Sequence, residues 1–392
     1  MACSPSQPLP VTAYSCCNGL GSTRAEVLEK LRLGTTGLVP ARMELPFATC
    51  VGEVTAELPH LPNALAPWST RMSRMAALLV QGLEPRLTRA RALWPASRIA
   101  VILGTSTAGA AATETAYRHY VAHGELPAEY DFRRQHTFGA LLRVVAELGG
   151  AKGPAWMIST ACTSSAKPLA SAKRLIDADL IDAAIIGGFD TLCGMTLHGF
   201  RSLGALATDP CRPFCASRSG ISIGEGGALL LVERKAHALA LVEGVGESSD
   251  AYHVSSPHPE GLGARSAMQR ALDEAGCGMD AIDHINAHGT GTRLNDVAEA
   301  RAIAELFDSQ VPVVSTKGYT GHMLGAAGAT EAVMSIFAIE EGWIPASVGS
   351  TPLDPKIELH VPTTRTCGSF RRVLSNDFAF GGNNVSVLMG AP

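Results

Sequence analysis

Residues 158–166 read ISTACTSSA, a run of small and hydroxyl-bearing residues around a single cysteine. The apolar residues 156–158 predict the end of a buried strand, and the Ala-, Lys- and Leu-rich residues from Ser164 to about Asp177 predict a helix. Cys162 is therefore predicted at or near a helix N-terminus, where free backbone N–H groups and the helix dipole favour an anion. We expect a thiolate of lowered pKa there, able to attack a thioester. The alternative is a buried, unreactive cysteine, which is the common state of a free thiol.

The composition excludes several classes of protein. The 392 residues suffice for two or three average domains or one large composite core, and 46% are hydrophobic against 17% charged. The net charge of −4, without a basic aromatic stripe, argues against a nucleic acid partner. No apolar run reaches the ~18 residues of a membrane span, and residues 1–5 lack the features of a secretion signal. We therefore expect a cytoplasmic protein.

The ten cysteines are scattered and form no repeated CxxC pairs. Cys211 and Cys215 have no clear second pair of ligands nearby, so we predict no zinc site and no other metal site. Reduced thiols, as in a cytoplasmic protein, fit this pattern best.

Strand-like and helix-like segments alternate along the chain. Continuous apolar runs at 99–103 and 183–186 are separated by helical stretches such as Met72 to Leu83, which predicts an α/β sheet covered on both faces. The segment 156–176 reads strand, small-residue turn and helix, and the segment 311–339 repeats that order. We therefore predict two similar halves, residues 1–235 and residues 236–392, with both turns at one end of their sheets, where α/β proteins bind ligands. The alternative is a chance resemblance between two common units.

Two histidines lie in glycine-rich loops of the second half. Residues 285–292 read INAHGTGT around His288, and residues 317–328 read KGYTGHMLGAAG around His322. A lone histidine is usually not catalytic, but glycines beside it let a substrate approach the backbone. Together with Cys162 the two histidines form a candidate Cys–His–His group.

Five segments together resemble the β-ketoacyl-acyl-carrier-protein synthases, which are elongating condensing enzymes of the thiolase superfamily. The segments follow in the order and spacing of that family and read STACTSSA (159–166), RPFCASRSGISIGEGGA (212–228), NAHGTGTRLND (286–296), STKGYTGHMLGAAGATEA (315–332) and NDFAFGGNN (376–384). The resemblance covers nearly the whole chain. It implies a thiolase-like, duplicated, five-layered αβαβα fold in which two halves are related by a pseudo-twofold axis. The first half would carry the nucleophilic cysteine and the second half both catalytic histidines.

The resemblance also implies the roles of the reacting residues. Cys162 is the implied nucleophile, and His288 and His322 are the implied catalytic pair. Lys317 and Glu331 are implied supporting charges, although a purely structural ion pair is an equal alternative for them.

Further implied residues surround the reacting group. Phe380 matches the gatekeeping aromatic residue, and its backbone N–H with that of Cys162 would form the oxyanion hole. Thr290 and Thr292 match the hydroxyls that bind the phosphopantetheine arm, and Thr107 falls where the family lines the acyl pocket. An acidic carrier protein needs a basic docking patch. The candidates for this patch are Arg71, Arg74, Arg133 and Arg134, with solvated surface arginines as the alternative.

The implied reaction is a decarboxylative Claisen condensation of an acyl group on Cys162 with malonyl-acyl-carrier protein. No cofactor is expected beyond the phosphopantetheine arm of the carrier. We expect an acyl carrier protein as partner and a dimer, either of identical chains or with a related ketosynthase-like subunit. The main alternative is a non-catalytic subunit that resembles a chain-length factor; a degradative thiolase, a starter-unit synthase and a cysteine hydrolase fit the motifs less well.

Several positions depart from the usual family pattern without removing a reacting group. They place the acyl preference in question, and we favour a specialised polyene or polyketide pathway, such as an aryl polyene pathway, over primary fatty-acid elongation. These departures are Ser159, Thr163, Cys215, Arg293, Gly318-Tyr319 and Asn383.

Overall fold

The computed structural model describes residues 7–307 and 309–392. The strands formed by these residues are β1 (Leu9–Cys17), β2 (Leu38–Pro40), β3 (Cys50–Gly52), β4 (Ile99–Gly104), β5 (Ala155–Ile158), β6 (Ala183–Asp190), β7 (Ile223–Gly224), β8 (Gly226–Glu233), β9 (Ala240–Ser249), β10 (His284–Asn286), β11 (Val313–Val314), β12 (Trp343–Ile344), β13 (Thr366–Cys367), β14 (Arg372–Phe378) and β15 (Asn383–Gly390). The α-helices are α1 (Arg24–Leu33), α2 (Arg71–Leu93), α3 (Ala110–His123), α4 (Phe132–Gln135), α5 (Phe138–Gly149), α6 (Lys167–Asp177), α7 (Gly194–Ser202), α8 (Leu262–Ala275), α9 (Arg293–Leu306), α10 (Lys317–Thr320) and α11 (Ala327–Glu341).

Ten strands form one mixed sheet in the order β11-β10-β14-β15-β9-β1-β8-β6-β4-β5. In the first half, β1, β8 and β6 pair antiparallel, and β4 and β5 continue in parallel. The second half repeats this pattern, with β9, β15 and β14 antiparallel and β10 and β11 parallel. The two halves meet at an antiparallel pairing of β1 with β9, in which Leu9 lies opposite Val242. The predicted duplication is therefore a repeat of the entire sheet topology.

Three apolar clusters lie between the five layers of structure, and the central one contacts both halves. The central cluster joins α6 and α11 to side chains from the strands of both halves. A second cluster packs α2 and α5 on the outer face of the first half, and a third packs α8 and α9 on the outer face of the second half. Because both faces are covered, β4, β6 and β8 are buried along their whole length. The predicted α/β class and five-layer arrangement are confirmed, whereas the boundary at 235/236 stays a prediction.

Local sequence signals explain several element ends. The side chains of Thr70 and Ser73 form a reciprocal capping box at the start of α2. Gly342, with φ 66°, ends α11 in the left-handed conformation that glycine adopts without strain. The helix predicted from Ser164 instead begins at Lys167, because residues 163–166 form a turn before it. This shift of three residues changes the surroundings of Cys162.

No helix within residues 7–307 and 309–392 combines the length and the apolar character that crossing a membrane requires.

Candidate active site

Cys162 lies in a tight turn between β5 and α6. Ala161 before it has φ 52°, a left-handed conformation that costs energy for a residue with a side chain. Neighbouring hydroxyls hold the turn: Ser164 Oγ donates to the Ala161 carbonyl at 2.6 Å and accepts from the Thr160 N–H at 2.9 Å. Thr163 Oγ1 donates to the Thr160 carbonyl at 2.8 Å. The ISTACTSSA run therefore supplies the bonds that fix Cys162 in place.

Small residues let the turn sit between the two halves. A Cβ atom added to Gly104, at the end of β4, would lie 2.3 Å from the carbonyl carbon and oxygen of Ser164. On the opposite side, the N–H of Ala329 in α11 donates to Ser165 Oγ at 2.9 Å. The nucleophile turn of the first half is thus anchored to the equivalent helix of the second half.

His322 follows α10, and its side chain contacts that of Cys162. The backbone N–H of His322 donates to Ser222 at 2.7 Å, and its carbonyl accepts from Gly224 at 2.9 Å. These two residues belong to the segment 212–228, which holds the histidine at both backbone groups. As a result, His322 Nε2 lies 2.9 Å from Cys162 Sγ.

His288 follows β10, and a buried carboxylate fixes its backbone. Both oxygens of Glu299, in α9, accept N–H groups, one from His288 and one from Gly289, each at 2.7 Å. The ring of His288 stands nearly perpendicular to that of His322, at 88°, with 5.2 Å between their centres. The structure thus brings together the three residues of the predicted Cys–His–His group. Glu299 was not predicted, although its spacing of eleven residues from His288 lies within one strand–turn–helix unit.

Both imidazoles are neutral at physiological pH. Burial lowers the pKa of His288 and of His322 well below the ordinary value, and the positive charge of Lys317 lowers both further. A neutral imidazole has one N–H donor and one bare nitrogen acceptor. The Nδ1 atoms of both rings are buried without a hydrogen-bond partner, while both rings line the cavity at Cys162. The Nε2 sides therefore face the reacting sulfur.

The predicted lowering of the thiol pKa is wrong. Burial raises the pKa of Cys162 to about 12, although the charge of Lys317 and the backbone N–H of Phe380, which bonds to the sulfur, act in the opposite direction. The helix dipole contributes little because α6 begins five residues later, at Lys167. Cys162 is thus a protonated thiol beside a neutral imidazole that can accept its proton.

Alkylation of Cys162 by iodoacetamide is therefore expected to accelerate about tenfold per pH unit from about pH 7 to about pH 10, because only the thiolate reacts and its population rises tenfold per unit below the thiol pKa. Peptide mass spectrometry after timed quenching measures the rate, with the exposed thiol of Cys367 in the same digest as the reference. A rate that levels off below about pH 8 would contradict this account.

Lys317, Glu331 and Asp377 form a buried group of ionisable side chains behind His288. Lys317 Nζ bonds to Glu331 Oε1 at 2.5 Å, and all three side chains are buried. Burial alone would lower the pKa of Lys317, but the nearby carboxylate of Glu331 raises it above its ordinary value. Burial also raises the pKa of Asp377 well above the usual range, and the charge of Glu331 adds to that rise. Asp377 was missed from the sequence, although a polar residue among buried strand positions inside the NDFAFGGNN segment was an available signal.

A cavity of about 470 Å³ opens onto Cys162. Thr290 and Thr292 line it with their hydroxyl oxygens 3.0 Å apart, and the Thr292 side chain also caps α9. Phe380 lies on the same wall, 36% exposed, with its ring 5.7 Å from that of Phe200. The cavity thus connects the reacting sulfur to the predicted arm-binding hydroxyls.

Thr107 is not part of this cavity. Its hydroxyl and its backbone N–H bond to the buried carboxylate of Asp190, at 2.6 Å and 2.9 Å. A role for Thr107 in the acyl pocket, including that of a partner subunit, stays a prediction.

Two of the four candidate docking arginines bond to groups of this same chain. Arg71 forms an ion pair with the buried Glu225 and donates to the Val54 carbonyl at 2.6 Å. Arg74 donates to the carbonyls of Leu58 and Pro59. The Arg71 side chain nevertheless remains 41% exposed, and docking at Arg71 and Arg74 stays a prediction.

Arg133 and Arg134 lie exposed on the short helix α4. Arg134 pairs with Asp131 at 3.6 Å and its guanidinium carbon lies 5.2 Å from the ring centre of Trp68. Surface pairs of this kind are weak and exchange readily with a partner's charges. Docking at Arg133 and Arg134 stays a prediction.

The Cys–His–His group has donor atoms within 4.8 Å of one another, a spacing that a metal ion could also use. A protonated thiol and the positive charge of Lys317 both oppose binding of a cation here. The group is therefore better suited to proton transfer and to hydrogen bonding of a developing oxyanion.

Comparison with known proteins identifies the family. Residues 10–238 match the beta-ketoacyl synthase N-terminal domain, and residues 239–351 match the beta-ketoacyl synthase C-terminal domain. Nodulation protein E of Rhizobium meliloti is 32% identical over 383 residues, covering 93% of this chain and 94% of that protein. The 3-oxoacyl-[acyl-carrier-protein] synthase 2 of Mycobacterium bovis is 38% identical over 248 residues, covering 59% of this chain and 60% of that protein.

A similar solved structure comes from the complex of the ketosynthase ApeO with its chain length factor ApeC from Xenorhabdus doucetiae. A chain of that complex superposes with a TM-score of 0.93 and 38% identity, covering 98% of each chain.

Proposed function

This chain belongs to the beta-ketoacyl synthase family, and we propose that it is a catalytic ketosynthase that extends an acyl chain by two carbons. The substrates are an acyl thioester and a malonyl thioester, both carried by an acyl carrier protein. One observation carries the proposal: the thiol of Cys162 lies 2.9 Å from a neutral His322, with a neutral His288 beside it, at the inner end of a cavity. A non-catalytic subunit would not need these three groups in this arrangement.

The first half-reaction moves the acyl group onto Cys162. As the sulfur attacks the thioester carbonyl, its proton passes to His322 Nε2, because the thiol is protonated at rest. The N–H groups of Cys162 and Phe380 stabilise the tetrahedral oxyanion. The bond to the carrier sulfur then breaks, and the carrier thiolate takes the proton from His322, which becomes neutral again.

The second half-reaction forms the carbon–carbon bond. Malonyl thioester loses carbon dioxide, and the electron pair of the broken bond becomes an enolate whose oxygen accepts the N–H group of His288. His322 adds a second N–H only in its other tautomer, because the first half-reaction needs its Nε2 as a bare acceptor. The enolate carbon attacks the acyl carbonyl on Cys162, and the Cys162 thiolate leaves and takes up one proton. Neutral imidazoles suit this step because they donate to the enolate oxygen without protonating it outright. Burial keeps both rings neutral, and the charge of Lys317 adds to that effect.

The carrier delivers both substrates through the same cavity. The hydroxyls of Thr290 and Thr292 bind the phosphopantetheine arm, and Phe380 controls access to Cys162. No cofactor is needed apart from that arm. Arg133 and Arg134 are the exposed candidates for the acidic surface of the carrier.

A second ketosynthase-like subunit, either a copy of this chain or a related one, is the other expected partner. The outer strand β5 pairs only with β4 among the described residues, so its other edge offers free backbone groups. The ApeO–ApeC complex, a ketosynthase with its chain length factor, supports such a partner. The departures from the usual family pattern, such as those at Arg293 and Asn383, favour a specialised polyene or polyketide pathway, such as an aryl polyene pathway.

The test is incubation of the purified protein, alone and with a co-expressed related subunit, with acyl-carriers of matched length and varied unsaturation. Intact-mass spectrometry measures the acyl adduct, and malonyl-carrier is then added. We expect an adduct, carbon dioxide and a product two carbons longer. Free acid without extension would indicate a hydrolase, and neither adduct nor carbon dioxide in either preparation would overturn the proposal. Best loading by saturated medium chains would contradict the specialised pathway.

A further inference from the structure

Asp377 is a buried acid whose carboxyl group has no assigned use in the reaction described above. It lies one residue before the end of β14 and is 1% exposed. No N–H group of the described residues donates to its carboxyl oxygens, although its side chain is within hydrogen-bonding reach of the Glu331 carboxyl group. One of these oxygens, one oxygen of Glu331 and one ring nitrogen of His288 lie within 4.8 Å of one another. Asp377 is therefore within reach of a catalytic candidate but outside the cavity wall.

Charge balance makes Asp377 the neutral member of this group. Lys317 supplies one positive charge, and its ammonium group bonds directly to Glu331 at 2.5 Å, which stabilises Glu331 as the ionised partner. A second buried carboxylate would have no cation of its own, and an unpaired buried charge is strongly unfavourable. Burial and the charge of Glu331 both raise the pKa of Asp377, in agreement with this assignment. The charge of Glu299 raises the pKa of Asp377 further.

His288 needs a hydrogen-bond donor behind its ring. Its Nε2 side faces the cavity, so donation to an enolate oxygen requires the proton on Nε2 and leaves Nδ1 as a bare acceptor. That Nδ1 is buried without a partner. A neutral carboxylic acid carries one O–H donor, whereas a carboxylate carries none.

We propose that Asp377, as a neutral acid, donates a hydrogen bond to Nδ1 of His288, directly or through one water molecule, and so holds His288 in the tautomer that presents N–H to the substrate. Asp377 is thus a positioning residue, since it acts through His288 and touches no substrate. The inference rests on the proposed function. It predicts that loss of the donor impairs malonyl decarboxylation while leaving acyl loading intact, because Cys162 is paired with His322 and not with His288.

The test compares wild-type protein with Asp377→Asn and Asp377→Leu. Asparagine keeps an uncharged side chain with N–H donors, and leucine keeps the volume without a donor. We expect Asp377→Asn to retain malonyl decarboxylation within about threefold, and Asp377→Leu to lower it at least about tenfold. Acyl-Cys162 formation by intact mass should stay within about threefold in both variants, which also shows that they are folded. Infrared spectra of wild type should contain a protonated carboxylic acid band near neutral pH that Asp377→Asn lacks.

The outcomes separate this inference from the proposed function. If wild type loads and condenses but Asp377→Leu decarboxylates at the wild-type rate, the positioning role is wrong. If Asp377→Asn is as impaired as Asp377→Leu, a charged carboxylate is the working form and the inference is equally wrong. If wild type itself neither loads nor condenses, the proposed function fails first.

Discussion

Serine in place of Cys162 is expected to lower acyl transfer and condensation by at least ~10⁴-fold. Removal of an enzyme nucleophile typically costs ~10⁴-fold to ~10⁶-fold in rate. A serine hydroxyl is a much weaker acid than a thiol, so the neutral His322, already required to deprotonate a thiol of pKa about 12, cannot activate it comparably. The measurement is the acyl adduct by intact mass together with the rate of extended product formation.

Cys193→Ser is the matched control for this substitution. Cys193 is also buried, and burial raises the pKa of its thiol, but it lies at the N-cap of α7, where serine is favoured. The control is expected to load and condense like wild type. If a Cys162→Ser protein keeps a substantial fraction of wild-type extension, Cys162 is not the nucleophile.

Alanine in place of either histidine is expected to produce a different loss for each ring. His288→Ala should lower malonyl decarboxylation by ~10²-fold to ~10³-fold, the usual effect of losing one oxyanion donor, and should leave acyl loading largely intact. His322→Ala should impair both steps, because this ring contacts the sulfur and also faces the enolate. Separate assays of loading and of carbon dioxide release measure the two effects.

His288→Gln is the informative companion to His288→Ala. Its side-chain amide keeps one N–H donor, so we expect it to recover part of the lost decarboxylation. Equal loading defects in His288→Ala and His322→Ala would show that acyl loading does not depend on His322 alone, contrary to what the geometry indicates.

Much of the fold was predictable from local pattern. The continuous apolar runs at β4 and β6 indicated strands covered on both faces, and both are buried throughout. The strand–turn–helix similarity indicated a duplication, and the topology repeats strand by strand. Such patterns are readable because burial on two faces imposes an unbroken apolar run.

Properties that depend on tertiary burial were harder to predict from the sequence. The pKa of Cys162 depends on how much of the chain covers the sulfur and on a helix start displaced by only three residues, so its predicted direction was wrong. The ion pair of Arg71 was not predicted because its partner, Glu225, lies 154 residues away. Glu299 and Asp377 were missed for a related reason. The backbone N–H groups that bond to Glu299, and the His288 ring near Asp377, become neighbours of these carboxyl groups only after folding.

The most direct measurement is a single turnover from preloaded enzyme. Protein carrying an acyl group on Cys162, freed of carrier, is mixed with malonyl-carrier and quenched at intervals. Loss of the adduct, release of carbon dioxide and appearance of the extended product are then followed together. The account predicts equal amounts and a shared rate for the last two, with the adduct lost in the same proportion. Adduct that persists while carbon dioxide is released, or that disappears as free acid, would contradict it.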